Sequence, residues 1–570
     1  MTRSAALWLF SLFVMIFGCN PPGGGSGTSA APAGSGAARA AAVGDPVRLT
    51  VAYGSEKKTW LEEQAAAFKA SGAKTKSGRP VAVELKAMGS GEAVQGIVAG
   101  TLKPHVFSPA SALYLTQLNG AWAAKAGRAK LLSPAGEPLV LSPIVVAMWK
   151  PMAEALGWPG KPVGWAELLK VAANPKGWGA LGHPEWGRFK LGHTHPEYSS
   201  SGLQAIVAEA YAGAKKVRGL GLADLDKKEV VEKLTDIEQT IVHYGKSTGF
   251  FADKMLSRGP SYLSGAVLYE NLVIESYGKD TGAPFPVVAV YPTEGTFWSD
   301  HPYAVLDAEW VGAEERDAAA AFLAFLKARP AQERALALGF RPADASIAIG
   351  APVDAAHGVD PKQPQTLLEV PDGPTLEKLV GVWQTAKKSS DVIVVFDISG
   401  SMRGKPLAEA KSGAKAFLST LHARDDATLI FFNGNVFSPF GPKKVGTSRA
   451  ELDAKIDGQI ADGKTALYDA VAKALELAQG RAEKAPGIIH AVVVMTDGRD
   501  EGSTLALPGL TSRLGGSTEA ASDVKVFTIA YGEGADPTVL ATIAEAAKGT
   551  SSKGDTATIA DVFRDLAAFF

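Results

Sequence analysis

The sequence predicts an α/β protein with two globular units, the second of which is a doubly wound parallel sheet. Its 570 residues exceed what one hydrophobic core normally holds, and strands alternate with helices in both halves of the chain. Apolar residues at 46% and charged residues at 21% are typical of a soluble globular protein. A formal net charge of −1 disfavours a nucleic-acid-binding protein. The single cysteine excludes internal disulfides and cysteine-based zinc or iron–sulfur sites.

Residues 1–19 are predicted to be an export signal, because Arg3 precedes an apolar run of about thirteen residues that is short for a membrane span. Ile16-Phe17-Gly18-Cys19 resembles the lipobox of bacterial lipoproteins, although Phe17 is bulkier than usual. The resemblance implies cleavage before Cys19 and a lipid anchor on its sulfur, with a plain secretory signal or an uncleaved signal anchor as alternatives. Residues 20–46 are rich in Pro, Gly, Ala and Ser, which predicts a flexible tether. The lipobox resemblance also implies a location: Asn20, which follows Cys19, is not the acidic residue linked to retention in the inner membrane, so in a cell with two membranes the outer one is favoured.

The first globular unit is predicted to span residues 47–345. Apolar strand patterns at 47–53, 80–85 and 105–107 are each followed by a Gly or Ser turn and a helical pattern. Ligands of such open sheets collect at the carboxyl ends of the strands. The apolar run 138–148 predicts a buried strand or a crossover between two lobes.

Together these features resemble the periplasmic solute-binding proteins of bacterial importers, especially the sulfate- and molybdate-like binders. The likeness rests on short stretches at 53–55, 89–91, 142–148, 190–202, 268–271 and 291–295. It implies two α/β lobes that close on a small solute, with hydroxyls and helix N-termini making the contacts. The candidate cleft residues that it implies are Ser55, Ser90, Ser142, Ser199, Ser200, Ser201 and Tyr269. The alternative is that these serines only cap helices.

Two other interpretations of this unit are weaker. His193, His195 and Glu197 could ligate a metal, but no further ligand with a recognised zinc spacing follows, so a loop lining the cleft is favoured. The turn at 89–91 lacks the Lys-Ser/Thr of a phosphate-binding P-loop, which argues against a nucleotidase.

A helix over 318–335 is predicted to close the first unit, and residues 346–387 are predicted to form a connector. Several prolines favour an extended path for it. Leu367, Leu368 and the 376–383 segment are apolar enough to anchor it on one domain.

The second unit is predicted to span residues 388–570. Strand patterns occur at 391–396, 427–432, 488–495 and 524–531. Helical patterns begin near Pro406 and run over 466–477, 537–547 and 559–570. This alternation predicts the doubly wound sheet.

Five oxygen-bearing side chains fall at one edge of that sheet: Asp397, Ser399, Ser401, Thr465 and Asp497. Oxygen donors suit a hard divalent cation such as Mg²⁺. The segments Asp397-Ile-Ser-Gly-Ser401, 463–469 and Thr496-Asp-Gly498 resemble the von Willebrand factor type A (VWA) domain and its metal-ion-dependent adhesion site. The resemblance implies that these five residues hold Mg²⁺, with Mn²⁺ or Ca²⁺ as alternatives, and that a carboxylate of a partner protein completes the coordination. Asp469 is expected to be a helix-start residue and Asp500 to be solvated.

The motifs favour binding over catalysis. The metal loop has no nearby histidine and no separate general base, and no Gly-x-Ser-x-Gly elbow is combined with a plausible Asp and His. A chelatase-type subunit would also need an adjacent ATPase module with a Walker motif, which is absent from the sequence.

Two functions therefore remain. The favoured one is a membrane-anchored extracytoplasmic binding protein that engages a protein partner through a divalent metal. The alternative is the substrate-binding component of an importer for a small solute, for which an anion is one candidate.

Overall fold

The computed structural model describes residues 45–126, 132–280, 282–516 and 518–555, together with 558–559, 562–563, 566 and 568–570. The predicted signal peptide, Cys19 and residues 20–44 of the predicted tether lie outside the described residues, and the final predicted helix at 559–570 is described only in part. Within the described part of the chain, no helix combines the length and apolarity needed to cross a bilayer.

The first globular unit alternates strands with helices. Its strands are β1 (Val47–Gly54), β2 (Val81–Met88), β3 (Val106–Ser108), β4 (Glu137–Pro138), β5 (Val140–Trp149), β6 (Leu191–Thr194), β7 (Ile241–Gly245), β8 (Gly265–Tyr269), β9 (Val287–Val290), β10 (Trp298–Ser299), β11 (Pro302–Val305) and β12 (Arg341–Pro342). Its helices are α1 (Lys58–Ala70), α2 (Ser90–Ala99), α3 (Leu113–Ala126), α4 (Lys150–Leu156), α5 (Trp165–Ala172), α6 (Ser200–Ala214), α7 (Lys228–Glu238), α8 (Thr248–Arg258), α9 (Glu270–Ser276), α10 (Ala313–Lys327) and α11 (Arg329–Ala337).

These strands form two sheets, each the centre of a lobe. In the first lobe the order is β2-β1-β3-β11-β4, with β1 parallel to both β2 and β3. In the second lobe the order is β10-β5-β8-β6-β7, and β9 and β12 also pair with β5. The chain enters the second lobe through β4 and β5 and returns through β10 and β11. The predicted crossover at 138–148 is thus confirmed: β5 is almost wholly buried.

One predicted helix is divided in two. The sequence favoured a single helix over 318–335, whereas α10 ends at Lys327 and α11 begins at Arg329, with Ala328 in an extended conformation between them. Pro330 lies in the first turn of α11, where proline is tolerated because the N–H that it lacks would have no partner within the helix. Inside one continuous helix, Pro330 would clash with the preceding turn, so α10 ends before it.

The predicted connector contains a helix, α12 (Gly373–Ala386), capped by the carboxylate of Asp372, which accepts from Thr375 N. Its buried face carries Leu376, Leu379 and Trp383, each at most 3% exposed. The stretch before it is not the extended path that was predicted, because it contains turns and a short 3-10 helix at Ala355–His357. Only one of the two leucines predicted to anchor it is buried: Leu368 is 7% and Leu367 45% exposed.

The second unit is a six-stranded, mostly parallel sheet. Its strands are β13 (Ser390–Asp397), β14 (Asp426–Phe432), β15 (Phe440–Lys444), β16 (Ile489–Thr496), β17 (Lys525–Tyr531) and β18 (Ser551–Gly554), in the order β15-β14-β13-β16-β17-β18. Its helices are α13 (Lys405–Thr420), α14 (Val445–Asp457), α15 (Leu467–Lys484), α16 (Leu507–Leu514), α17 (Glu519–Ser522) and α18 (Pro537–Ala546). The antiparallel edge strand β15 and the short β18 carry no continuous apolar run, so their sequence signal is weak.

The second lobe and the second unit dock directly against each other. Lys190 and Arg188 place their side-chain nitrogens 2.8 and 3.0 Å from the carboxylate of Asp523. The backbone N of Tyr244 donates to the carbonyl of Phe569 at 3.5 Å. The two globular units therefore share a polar interface as well as the α12 connector.

Candidate metal centre and solute cleft

The candidate metal centre lies where the strand order of the second unit changes direction. From β13 the chain runs outward to β14 on one side and later returns to β16 on the other. The connections that follow two such neighbouring strands run to opposite sides and leave a crevice at the carboxyl edge of the sheet. This crevice is the usual ligand position in such folds. β13 ends with Asp397, and β16 ends with Thr496, just before Asp497.

Asp397 is the buried base of this centre, with 0% of its surface exposed. One carboxylate oxygen accepts from the backbone N of Ser399 at 2.7 Å, and the other accepts from Thr496 Oγ1 at 2.5 Å. Burial raises the pKa of Asp397 to about 6; the nearby charge of Asp497 adds to this effect, and the two hydrogen-bond donors oppose it. Burial of this carboxylate at the carboxyl edge of the sheet therefore costs free energy when the group is ionised.

The other four predicted residues surround Asp397 in a connected set. Ser399 Oγ lies 3.0 Å from Ser401 Oγ, which donates to Asp497 Oδ1 at 2.6 Å. A Cβ built on Gly498 would lie 3.2 Å from Thr465 Oγ1 and 3.8 Å from Ser401 Oγ, so the threonine hydroxyl faces the same space. The structure brings all five predicted residues together.

The loop that carries Thr465 is fixed by backbone hydrogen bonds. The carbonyl of Thr465 accepts from Glu501 N and Gly502 N at 2.9 and 3.0 Å, and Gly400 N donates to the carbonyl of Gly463 at 2.9 Å. Gly463 has a φ of +83°, a conformation that favours glycine. The hydroxyl of Thr465 is therefore held against the Ser399–Ser401 loop.

Two neighbouring aspartates have structural roles. The carboxylate of Asp469 accepts from the backbone N of Thr504 and of Leu505 at 2.8 and 3.0 Å, as expected for a supporting residue near the start of α15. Asp500 is not simply solvated, as the sequence had suggested. It is half-buried and accepts from Ser503 Oγ at 2.5 Å and from Tyr468 N at 3.2 Å.

The donor set fits a hard divalent cation, because it offers two carboxylates and three hydroxyls and no sulfur or imidazole. Burial raises the pKa of Asp497 as well as that of Asp397, which means that it disfavours their ionised forms; a bound cation would stabilise both carboxylates. Ser401 is exposed and Asp497 is half-buried, which leaves one side of the centre open to solvent. The residues could thus hold a cation while leaving room for an external ligand.

In the first unit, the two lobes touch across the predicted cleft. Ser55, directly after β1, lies 2.9 Å from Ser247 Oγ of the second lobe and accepts from Gly249 N at 2.9 Å. Gly91 N and Glu92 N in the first turn of α2 donate to the carbonyl of Tyr198 at 2.9 and 3.1 Å. Protein groups therefore occupy helix N-termini that would otherwise be available to an anion.

The remaining predicted cleft residues are all buried and mostly bonded within the protein. Ser90 Oγ accepts from Ala110 N at 3.1 Å, and Ser142 Oγ accepts from Asn271 N at 3.2 Å. The α6 serines are bonded as follows: Ser199 to Thr248, Ser200 to Gln204, and Ser201 to Thr194 and Thr248. Whether any of them contacts a solute stays a prediction.

Several polar atoms in this region have no hydrogen-bond partner within the described residues. They are Ser108 Oγ, Asn271 Oδ1 and His301 Nε2, and all three residues are 0% exposed. Tyr269 is equally buried, with Ser200 and Ser299 beside its hydroxyl; burial, with the charge of Glu56 second, raises its pKa well above the usual value. Buried polar atoms are rarely left unpaired, so the three atoms could each form a hydrogen bond with a polar ligand or water.

A buried ionic group beside the cleft was not predicted. Lys57 Nζ lies 2.8 Å from the carboxylate of Glu56, which is also 3.2 Å from His301 Nδ1. Burial opposes ionisation of Glu56, but Lys57 and His301 outweigh it and lower its pKa to about 2. The only sequence signal was the position of Glu56 and Lys57 directly after Ser55.

The three residues weighed as metal ligands do not converge. His193 lies in β6 rather than in a loop, and its Nε2 is 3.0 Å from Glu238 Oε1. His195 packs against the ring of Trp383, with the ring centroids 4.8 Å apart. The main-chain carbonyl of Glu197 accepts from Gln95 Nε2 at 3.2 Å, and its carboxylate accepts from Gln384 Nε2 at 2.8 Å.

Comparison with known proteins assigns both units. Residues 49–341 match the family of bacterial extracellular solute-binding proteins, and residues 391–565 match the VWA domain. Because the first match covers more than half of the chain, the chain belongs to the bacterial extracellular solute-binding protein family and carries a C-terminal VWA domain. The resemblances of the two globular units to solute-binding proteins and to VWA domains are thus confirmed.

Among particular proteins, the chain is similar to the uncharacterized protein Rv1836c of Mycobacterium tuberculosis strain H37Rv. The two are 24% identical over 521 residues, which cover 85% of this chain and 72% of that protein. Among solved structures, the sulfate-binding protein SubI from M. tuberculosis H37Rv is 20% identical, with a TM-score of 0.37, over 52% of this chain and 88% of that one. A VWA protein from Catenulispora acidiphila is 23% identical, with a TM-score of 0.28, over 32% of this chain and 42% of that one.

Proposed function

We propose that the chain is a membrane-anchored extracytoplasmic binding protein whose VWA domain engages a protein partner through a divalent cation. Asp397, Ser399, Ser401, Thr465 and Asp497 would hold the cation, with Mg²⁺ the first candidate and Mn²⁺ or Ca²⁺ the alternatives. The observation that carries the proposal is that two carboxylates and three hydroxyls lie together at the sheet edge, with Ser399, Ser401 and Asp497 hydrogen-bonded in a row and one side open to solvent.

The charges around the centre favour an anionic partner group. Two carboxylates would balance one divalent cation, and the three hydroxyls add no charge. A carboxylate from a partner would then add one negative charge, which basic side chains beside the centre could offset. Lys464 and Arg499 are exposed, adjacent to Thr465 in sequence and two residues after Asp497, and would attract such a group. A bound cation would supply the open coordination position that an external oxygen ligand fills.

We infer binding rather than catalysis at these five residues. The hydrogen-bond partners of Asp397, Ser399, Ser401 and Asp497 that support this are backbone groups, hydroxyls and one another, with no separate base among those of the described residues. A metal-activated water would need such a base to be positioned beside it.

The test is a cation-dependent interaction with a matched control. The full chain, immobilised and incubated with an extract of the producing cell's envelope, should retain a partner in Mg²⁺ that EDTA releases. D497A should lose that partner. D462A should keep it, because Asp462 is an exposed rim carboxylate paired with Arg403 at 2.7 Å and outside the donor set. Equal retention by D497A and wild type would contradict the proposal.

The membrane anchor is part of the same proposal. Cys19 would carry the lipid, and residues 20–46 would hold the folded part away from the bilayer. Metabolic labelling with a fatty-acid analogue should mark the wild-type protein, and C19A should be unlabelled and released in soluble form. Labelling of C19A would refute this assignment.

A second candidate, the substrate-binding component of an importer, is favoured by the unpartnered atoms beside the cleft. The hydroxyl of Ser108 and the amide oxygen of Asn271 could be satisfied by a polar solute. Calorimetry with sulfate, molybdate and other oxyanions should then show binding that S90A removes. S71A should retain it, because Ser71 lies at the end of α1 and its Oγ donates only to Phe68 O. Binding unaffected by S90A would count against this cleft.

A further inference from the structure

Three buried acid–base side chains meet inside the second lobe, away from both sites described above. They are His193 in β6, Glu209 in α6 and Glu238 at the end of α7, and each is 0% exposed. One potential ligand atom from each residue lies within 4.8 Å of the other two. Ligands on a tetrahedral zinc ion are separated by about 3.4 Å, so modest side-chain adjustment would close the group around an ion.

The contact of His193 Nδ1 with a backbone carbonyl leaves Nε2 facing this group. Its Nδ1 lies 2.7 Å from the carbonyl oxygen of Thr194, which can only accept, so Nδ1 carries a proton. In a neutral imidazole, Nε2 is then an acceptor, and it lies 3.0 Å from the acceptor Oε1 of Glu238. Two acceptors at this distance repel each other unless a proton or a metal ion lies between them. An orienting bond to a backbone carbonyl is typical of histidines that ligate metals.

Glu209 provides the second, independent observation. Neither of its carboxylate oxygens has a hydrogen-bond partner in the described part of the chain. Burial, reinforced by the charge of Glu238, raises the pKa of Glu209 well above its ordinary value. Glu238 differs from Glu209, because its second oxygen accepts from Tyr244 OH at 2.7 Å. A fully buried carboxyl beside another carboxylate needs either a proton shared between the two, as the proximity of Glu238 allows, or a counter-charge, which a cation would supply.

We propose that His193, Glu209 and Glu238 form a buried structural site for a divalent transition metal, with zinc as the natural occupant. One imidazole and two carboxylates suit zinc, and the enclosed position suits a structural ion rather than a catalytic one. The ion would join β6, α6 and α7. It would also stabilise the part of the lobe that meets the second unit, because Tyr244 contacts both Glu238 and Phe569.

The test counts metal in the full chain with the VWA centre disabled by D497A. Because a buried site exchanges slowly, the protein is unfolded, refolded with excess Zn²⁺, freed of loose metal by gel filtration and measured by mass spectrometry of the elements. We expect about one equivalent of zinc in D497A and a large loss in the D497A/E209Q double variant. D497A/E197Q should retain zinc, since Glu197 lies outside the group.

Stability separates the metal site from a cluster that merely shares a proton. E209Q replaces a buried carboxyl by an amide of the same shape that can donate to Glu238, so in EDTA it should melt at least as high as the wild type. Zinc added during refolding should raise the melting temperature of D497A and not that of D497A/E209Q, because the VWA centre is disabled in both. Refolded Co²⁺ should likewise give ligand-field absorption bands in D497A that E209Q removes. The proposal is overturned if D497A refolded in excess zinc holds far less than one equivalent, or if E209Q holds as much zinc as its parent.

Discussion

Lys525 lies at the interface between the two units and is predicted to make stability there depend on pH. It belongs to β17, is 3% exposed, and places its Nζ 5.3 Å from the ring centroid of Tyr262 in the second lobe. Burial lowers the pKa of Lys525 to about 7, in spite of the carboxylate of Asp523, and neighbouring basic groups lower it further. K525M keeps the length and apolar stem of the side chain and removes the charge.

The sign follows from the protons bound in each state. Between pH 7 and the unfolded value of 10.5, the unfolded chain binds a proton on Lys525 that the folded chain has released. The free energy of unfolding therefore rises with pH in this window, by about 2–3 kcal/mol between pH 7 and pH 9. Below pH 7 the buried charge destabilises the fold fully. K525M should remove this slope and stabilise the protein most at pH 6 to 7. Asp523 still keeps its ion pairs with Lys190 and Arg188 in that variant.

The assay is denaturant unfolding at pH 6, 7.5 and 9, followed by tryptophan fluorescence and by circular dichroism to detect separate transitions of the two units. The difference between wild type and K525M is the quantity of interest, because it cancels other titrating groups. K553M is the matched control, because Lys553 lies exposed on the adjacent strand β18. Equal pH slopes for wild type and K525M would refute the reasoning.

Three further predictions concern the connector and the cleft. W383A should lower the free energy of unfolding by about 3–5 kcal/mol in denaturant melts, because Trp383 is fully buried against the rings of His195 and Tyr244 in the second lobe; a loss below 1 kcal/mol would show that this residue does not anchor α12 there. G381A should raise stability by about 0.5–1 kcal/mol, since Gly381 is exposed within α12 and its Cβ would meet nothing within 4 Å; a destabilised variant would contradict this helix. G91A should separate the two lobes and increase the radius of gyration in small-angle scattering, because its Cβ would lie 2.2 Å from the carbonyl oxygen of Glu197. G120A, whose Cβ would meet nothing, should not change it, and equal scattering from both variants would show that the lobes do not close there.

The second unit was easier to predict from the sequence, because its strands and its metal-site residues are neighbours along the chain. The strand patterns at 391–396 and 488–495 became β13 and β16, and the oxygen donors follow those strands within a few residues. Parallel strands bring their carboxyl ends to one edge, so the spacing alone placed Asp397 beside Asp497.

What the sequence did not reveal depends on contacts between distant residues. Tyr198 caps α2 from the opposite lobe, about a hundred residues away, and no local pattern signals such closure. Glu209 and Glu238 are separated from His193 by 16 and 45 positions and occupy helices, where a buried glutamate has the same sequence signature as an exposed one. The helix break at Ala328 was visible in principle, because Pro330 two residues later disfavours a continuous helix.

The central claim, that five oxygens at the sheet edge hold a divalent cation, is tested most directly by Mn²⁺ binding followed by electron paramagnetic resonance. The E209Q background restricts the count to the VWA centre. The full chain should remove about one Mn²⁺ from the free signal at millimolar concentration or below, Mg²⁺ should compete for it, and S399A and D497A should lose it while D462A keeps it. A full free-manganese signal with the E209Q chain, or undiminished binding by S399A and D497A, would contradict the account.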